Sequence, residues 1–144
     1  MEYGSNVSAA AALIFLAAAA YEDYKTEKIS IILILTGAAI SIAAAVINKD
    51  NIMQILYGIL TGNAILLIGY ASREAVGYGD GLIFIITGIF LGWMNNIILI
   101  AGSLLLAAVC SIILMALRIK KQTDRIAFVP FILGAYVLMK AMSV

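Results

Sequence analysis

The chain has 144 residues, a net charge of +1 and an apolar fraction of 65%, with nine Lys or Arg, eight Asp or Glu and no His. A soluble domain of this length needs more polar surface to cover its core, so the composition excludes one and predicts an integral membrane protein. The near-neutral charge excludes a clustered basic nucleic-acid interface, and the absence of histidine excludes histidine-based catalysis and the usual zinc ligand sets.

Three uncharged runs span residues 29–48, 51–72 and 81–117. Each is long enough to cross a hydrocarbon core of about 30 Å at about 1.5 Å per helical residue. Because lipid cannot satisfy backbone amides, these runs are expected to be helical. The last run would extend about 55 Å as one helix, so it must fold back once, and residues 92–96 (Gly-Trp-Met-Asn-Asn) supply the predicted turn.

These patterns predict an all-α, polytopic membrane helix bundle that forms a single membrane-embedded domain over residues 1–144. Its six transmembrane helices are predicted at 6–22, 29–48, 51–72, 81–94, 96–118 and 126–143. The first is expected to be a retained helix rather than a cleaved signal peptide, because Met1-Glu2-Tyr3 carries an acid and no base. Pro130 lies near the start of the last helix, where its missing N–H costs little.

The basic residues favour one orientation of this bundle in the cell membrane. Six crossings place seven of them on one side: Lys25, Lys28, Arg73, Arg118, Lys120, Lys121 and Arg125. The opposite side holds only Lys49 and Lys140. By the positive-inside rule, the first side is cytoplasmic and both termini face outward.

Two acids mark helix boundaries on that cytoplasmic side. Asp23 ends the first predicted helix and Asp80 begins the fourth, so an even number of crossings separates them. In a close carboxyl pair that shares one proton, the ionised group takes a proton from water and the protonated group donates to a scissile carbonyl. Such a pair hydrolyses a peptide bond without a metal or cofactor, although the pattern does not assign which Asp is the base.

The same two residues also have a structural interpretation, which the pattern leaves open. Asp80 could be the N-cap of the fourth helix, and Asp23 could be an ordinary solvated helix end. The preceding Gly77-Tyr78-Gly79 also has a mechanical interpretation. Gly77 and Gly79 allow backbone angles closed to other residues and carry no Cβ that would block an extended substrate beside Asp80.

Other notable features are expected to serve packing alone. Gly58-x-x-x-Gly62 and Gly88-x-x-x-Gly92 would let neighbouring helices approach closely. Cys110 lies in the middle of an apolar run and is predicted to be a buried, inert thiol.

Several segments resemble the type IV prepilin peptidases, a family of GxGD membrane aspartyl proteases. Residues 22–29 (Glu-Asp-Tyr-Lys-Thr-Glu-Lys-Ile) resemble the family's first motif, and Gly77-Tyr78-Gly79-Asp80 matches the GxGD motif. Residues 87–92 (Thr-Gly-Ile-Phe-Leu-Gly) resemble the glycine-spaced helix that follows, and 128–131 (Phe-Val-Pro-Phe) resemble the start of the last helix. The resemblance covers essentially the whole chain.

The resemblance implies a short-form peptidase that removes a short basic leader from prepilin-like membrane proteins at the cytoplasmic membrane face, in type IV pilus assembly or secretion. It implies that Asp23 and Asp80 are catalytic and makes Lys25 and Lys28 candidate substrate contacts. The cysteine-rich methyltransferase region of larger members is missing, so peptidase activity without N-methylation is expected.

Two local departures accompany this resemblance. Ser30-Ile31 stands where the family usually has Pro-Asn, and Leu82 stands where many members have Lys. They keep a non-catalytic scaffold subunit, a degenerate peptidase of a pilus or secretion assembly, as an alternative.

Two further alternatives fit the sequence less well. A protease of the presenilin or signal-peptide-peptidase kind has nine helices and cuts within the span. A small transporter or ion-pathway subunit uses acids inside the membrane, whereas the mid-span polar residues here, Asn63 and Ser103, are uncharged.

Overall fold

The computed structural model describes residues 2–71, 77–118 and 126–142. Within these residues every regular element is a helix: α1 (Glu2–Thr26), α2 (Ile31–Asn48), α3 (Ile52–Ala71), α4 (Tyr78–Ala116) and α5 (Val129–Met142). The first four are long and apolar enough to cross a membrane, and α5 is a shorter apolar helix. The predicted all-helical membrane fold is confirmed, whereas the number of six crossings stays a prediction.

The longest helix, α4, is broken at Gly92, whose φ of 74° and ψ of 170° lie in a region that essentially only glycine adopts. Beyond the break, the Asn96 side chain donates through Nδ2 to the carbonyl oxygen of Phe84 at 2.9 Å. In a continuous helix these residues would stand about 18 Å apart. The two halves of α4 therefore lie side by side, and the break falls on the first residue of the predicted turn.

A buried polar network fastens this fold-back to α3. The Asn96 side chain is fully buried, and its Nδ2 also donates to Thr61 Oγ1 at 2.9 Å. In return, Thr87 Oγ1 donates to Asn96 Oδ1 at 2.8 Å. The network thus joins α3 and both halves of α4, a role that the sequence did not indicate for Asn96.

Close backbone contact between α3 and α4 accompanies this network. A Cβ added to Gly58 would overlap the Gly88 carbonyl, and one added to Gly88 would overlap the Gly58 carbonyl. Gly62 lies in the same way against the backbone of Ile85. The predicted packing role is confirmed for these three glycines, while Gly92 breaks the helix instead.

The core lies where α5 packs against both α1 and α4. Tyr136 of α5 is buried and donates its hydroxyl to the Ala9 carbonyl of α1 at 2.8 Å. Further buried side chains fill this core, among them Phe15, Leu16, Phe84, Leu99 and Ile132. By contrast, α2 and α3 expose many large apolar side chains, as suits helices that face lipid.

Several predicted boundaries and environments were wrong in detail. Helix α1 continues to Thr26 rather than ending at residue 22, and Glu27 follows it in the left-handed region at φ 53°. Helix α4 begins at Tyr78 rather than at residue 81. The Cys110 thiol is half-buried rather than buried. Four of the predicted cytoplasmic basic residues lie outside the described residues: Arg73, Lys120, Lys121 and Arg125.

Candidate active site

Both predicted aspartates lie at one end of the bundle, where α1 ends and where α4 and α5 begin. Asp23 is in the last turn of α1 and Asp80 is in the first turn of α4. Their side chains are only 8% and 9% exposed. The structure brings the two carboxyl groups within electrostatic range, so that a charge on Asp23 disfavours a second charge on Asp80.

The Asp23 side chain accepts a hydrogen bond from the last helix. Its Oδ2 accepts a hydrogen bond at 3.0 Å from the backbone N–H of Val129, the first residue of α5. The first N–H groups of a helix have no partner within that helix, so a carboxylate placed there satisfies a donor and favours the helix dipole. The interpretation of Asp23 as an ordinary solvated helix end is therefore wrong.

Asp80 lies inside its helix rather than capping it. The N-cap of α4 is Gly77, and the Asp80 side chain accepts a hydrogen bond from the Gly77 backbone. This is the arrangement of a capping box, in which the third helical residue reaches back to the N-cap N–H. Asp80 thus stabilises the start of α4 even though the predicted N-cap assignment was wrong.

The glycines before Asp80 have ordinary backbone angles. Gly77 lies at φ −64° and ψ 143°, Gly79 is helical, and Gly92 alone has positive φ among the glycines that the structure describes. Neither Gly77 nor Gly79 therefore uses the backbone angles that glycine alone allows. Their use as a passage for substrate beside the half-exposed Tyr78 stays a prediction.

Side chains instead pack closely against these two glycines. A Cβ on Gly79 would lie 2.8 Å from Ile29 Cδ1, and a Cβ on Gly77 would lie 3.1 Å from Asp80 Oδ2. The last residue of the first motif, Ile29, therefore packs directly on the GxGD segment. This contact brings the two motifs together in space.

The connection between α1 and α2 is itself fixed by hydrogen bonds. Ser30 donates its backbone N–H to Glu22 Oε2 at 3.1 Å, and its Oγ accepts from the Leu33 N–H at 3.3 Å as the N-cap of α2. A serine before an apolar run is a common N-cap signal, so this role could have been predicted. The role of Glu22 could not have been predicted, because a bond from a loop amide to a carboxylate has no sequence signature.

The residue just before α5, Phe128, touches α4. The Phe128 ring meets the Phe84 ring edge to face, with centroids 6.2 Å apart and planes at 69°. Phe84 lies one turn beyond Asp80, so α5 contacts both helices that carry the aspartates. The sequence related residues 128–131 to the family but gave them no role in the site.

The two candidate substrate lysines lie at the surface near this end. Lys25 and Lys28 are both exposed, and Lys25 Nζ lies 5.8 Å from the centre of the Tyr21 ring. Their contact with substrate stays a prediction.

Comparison with known protein families matches residues 10–112 to the type IV leader peptidase family. The matched segment includes Asp23 and Asp80 and ends within α4, so α5 lies beyond it. No curated protein and no solved structure matches the chain. Because the match spans well over half of the 144 residues, the chain belongs to the type IV leader peptidase family and is a membrane peptidase of the prepilin-peptidase kind.

Proposed function

We propose that this protein is a membrane aspartyl endopeptidase that removes the short basic leader from prepilin-like membrane proteins at the cytoplasmic membrane face. One observation carries the proposal. Two buried carboxyl groups, from helices distant in sequence, lie within electrostatic range of each other inside the segment that matches a leader peptidase family.

The proposed chemistry needs the Asp23–Asp80 pair to hold one proton. The ionised carboxylate takes a proton from water as the water oxygen attacks the scissile carbonyl carbon, and the protonated acid donates to the carbonyl oxygen. The resulting diol then collapses. One carboxylate recovers its proton from a hydroxyl while the other acid protonates the departing amine, which restores the pair.

Burial supports this sharing of a proton. Water is largely excluded from both side chains, and low local polarity makes repulsion between two carboxylates stronger than in bulk solvent.

The proposed substrate is a single apolar helix with a basic segment before it. Such a helix would enter from lipid against the bundle and present its leader junction at the end where Asp23 and Asp80 lie. Lys25 and Lys28 are exposed at that end and are the proposed substrate contacts. Leu82, half-buried just after Asp80, provides no amine to bind substrate.

A non-catalytic scaffold subunit is a second candidate, and one observation favours it. Each aspartate has a structural partner, since Asp23 binds the Val129 N–H and Asp80 binds the Gly77 backbone. In a scaffold these bonds alone would account for both acids. Leader removal by asparagine variants of the two aspartates distinguishes the peptidase from the scaffold.

The protein is co-expressed with a prepilin-like substrate that carries a tag, and removal of the leader is followed by mass on a gel. Asp23→Asn and Asp80→Asn should each abolish removal, because an amide neither accepts a proton from water nor donates one as an acid. Asparagine keeps an oxygen that accepts backbone N–H bonds, so insertion and helical content should be unchanged.

Asp50→Asn is the matched control, since it makes the same chemical change at an exposed site between α2 and α3. It should process substrate like the wild type. Processing by Asp23→Asn or Asp80→Asn at a near wild-type rate would exclude the dyad. Flux of an ion or solute with uncut substrate would instead indicate a transporter.

Cysteine labelling tests the proposed orientation of the site. In a Cys110→Ser background, a membrane-impermeant thiol reagent applied from outside should label a cysteine at position 49 or 95 and should not label one at position 27 or 122. Labelling of position 27 from outside would place the aspartates on the outer face and contradict the proposed cytoplasmic site.

A further inference from the structure

Helix α5 lies outside the residues that match the peptidase family, yet its first residue and the residue before it touch the two helices that carry the aspartates. The Val129 N–H donates to Asp23 Oδ2 at 3.0 Å, and the Phe128 ring packs edge to face on Phe84. One short segment therefore contacts the carboxyl group of one acid and the helix that presents the other.

We propose that this first turn of α5 is a positioning element of the active site, in which the Val129 amide fixes the orientation of the Asp23 carboxyl group towards Asp80. The Phe128 ring belongs to the same positioning element. Its contact with Phe84 holds the start of α4, which carries Asp80, next to the start of α5. The proposal rests on the proposed function, since a position matters to catalysis only if the pair is catalytic.

A backbone amide fixes the orientation of a carboxyl group better than a side-chain donor does. The Asp23 carboxyl group can rotate among staggered side-chain conformations, whereas a helical N–H has a fixed direction. The donor cannot shift alone, because the side chains of Val129 and Ile132 are fully buried and close packing resists their movement.

The anchoring of α5 further along its length supports the same role. Tyr136, two turns beyond Val129, donates its hydroxyl to the Ala9 carbonyl of α1 at 2.8 Å. In the first turn of α5 the Phe131 and Ile132 N–H groups donate to the Phe128 carbonyl and Pro130 has no N–H, which leaves the Val129 N–H for Asp23. No acidic side chain of that turn competes for it. Helix α5 is thus hydrogen-bonded to α1 at two places, through Tyr136 and through Val129. The second of these bonds is made to the candidate catalytic carboxyl group of Asp23.

The test removes the donor while keeping the helix. Proline is favoured at the first helical position, so Val129→Pro deletes the N–H at a place where a helix tolerates it. Val129→Ala keeps the N–H and reports the loss of the buried side chain alone. Both variants are assayed with the full-length protein in detergent and a tagged prepilin-like substrate.

Relative to Val129→Ala, Val129→Pro should lower kcat by about tenfold or more, since misplacing a reacting group by about 1 Å can cost about 100-fold. KM should stay within about twofold, because the substrate contacts are unchanged. Equal kcat in the two variants would overturn the positioning role, as would a loss confined to KM.

A second pair of variants keeps the proposal testable if Val129→Pro does not accumulate. Phe128→Leu removes the ring contact with Phe84, and Phe90→Leu removes a different ring contact, with Phe15, at 6.4 Å between centroids. Phe128→Leu should lose kcat relative to Phe90→Leu, and equal values would overturn the proposal.

Cleavage by the wild-type protein distinguishes failure of this proposal from failure of the proposed function. If the wild type leaves every prepilin-like substrate uncut, the proposed function fails and the positioning role fails with it. If the wild type cuts and the proline and alanine variants cut equally well, only the positioning role is overturned.

Discussion

Replacing Asn96 by leucine removes the polar network that holds the fold-back of α4 against α3. Leucine is similar in size, so it fills the buried space without a large cavity. Three short hydrogen bonds are lost: the two donated by Nδ2 to Thr61 and Phe84, and the one accepted from Thr87. A longer one, donated by Nδ2 to the Gly58 carbonyl at 3.5 Å, is lost with them. The backbone break at Gly92 is unaffected.

The partners of Asn96 keep other hydrogen bonds, which sets the size of the effect. Thr87 Oγ1 also lies 3.2 Å from the Phe84 carbonyl, and Thr61 Oγ1 also donates to the Gly58 carbonyl at 2.7 Å. No partner is left wholly unsatisfied, so the cost is that of the bonds themselves. At about 0.6 kcal/mol for each bond between membrane helices, the free energy of unfolding should fall by about 2 kcal/mol.

The loss is measured by titrating the purified protein from mild detergent into sodium dodecyl sulfate while helix content is followed by circular dichroism. Asn95→Leu is the matched control, because Asn95 is exposed and the hydrogen bond described for its side chain goes to the Leu91 carbonyl next to the break, at 3.2 Å, rather than to α3. Its free energy of unfolding should change by less than about 0.5 kcal/mol. If Asn96→Leu is as stable as Asn95→Leu, the network does not hold the fold-back and the reasoning is refuted.

Two further predictions concern glycines. Gly88→Ala forces a methyl group into the backbone of α3 and should lower the free energy of unfolding by about 1–3 kcal/mol in the same titration. Gly134→Ala places its methyl 3.7 Å from the nearest atom and should be neutral or stabilising, and equal losses in the two variants would contradict close helix contact as the cause. Gly79→Ala should slow leader removal because its methyl displaces Ile29, and adding Ile29→Val, which deletes the Cδ1 atom in the way, should restore most of the rate. A double variant as slow as Gly79→Ala would mean that the space beside Gly79 serves something other than Ile29, such as the substrate.

The proposed catalytic acids also stabilise the ends of helices. Asp23 satisfies an amide of α5, and Asp80 satisfies the backbone at the start of α4. Substitution of either residue by alanine would therefore mix a structural loss with a chemical one. Asparagine is the more informative replacement, because it retains the acceptor oxygen and removes only the exchangeable acid proton and the charge.

The membrane character, the helical fold and the approximate place of the reversal in α4 could all be predicted from the sequence. These follow from local quantities: the length of each apolar run, the demand of backbone amides for partners in lipid, and the length of one continuous helix against the membrane thickness. The parity of the predicted crossings also placed Asp23 and Asp80 on one side, which is the end of the bundle that they share in the structure.

The surroundings of the two acids, by contrast, could not be predicted, because they form when distant segments pack together. The donor to Asp23 is a backbone N–H 106 residues away, and the atom beside Gly79 belongs to Ile29 from the other motif. Backbone amides are common to every residue except proline, so no residue type reveals which amide will meet a carboxylate. Likewise, the burial of both acids arises from the packing of α1, α4 and α5 together, and that packing is a property of their joint arrangement rather than of any one segment.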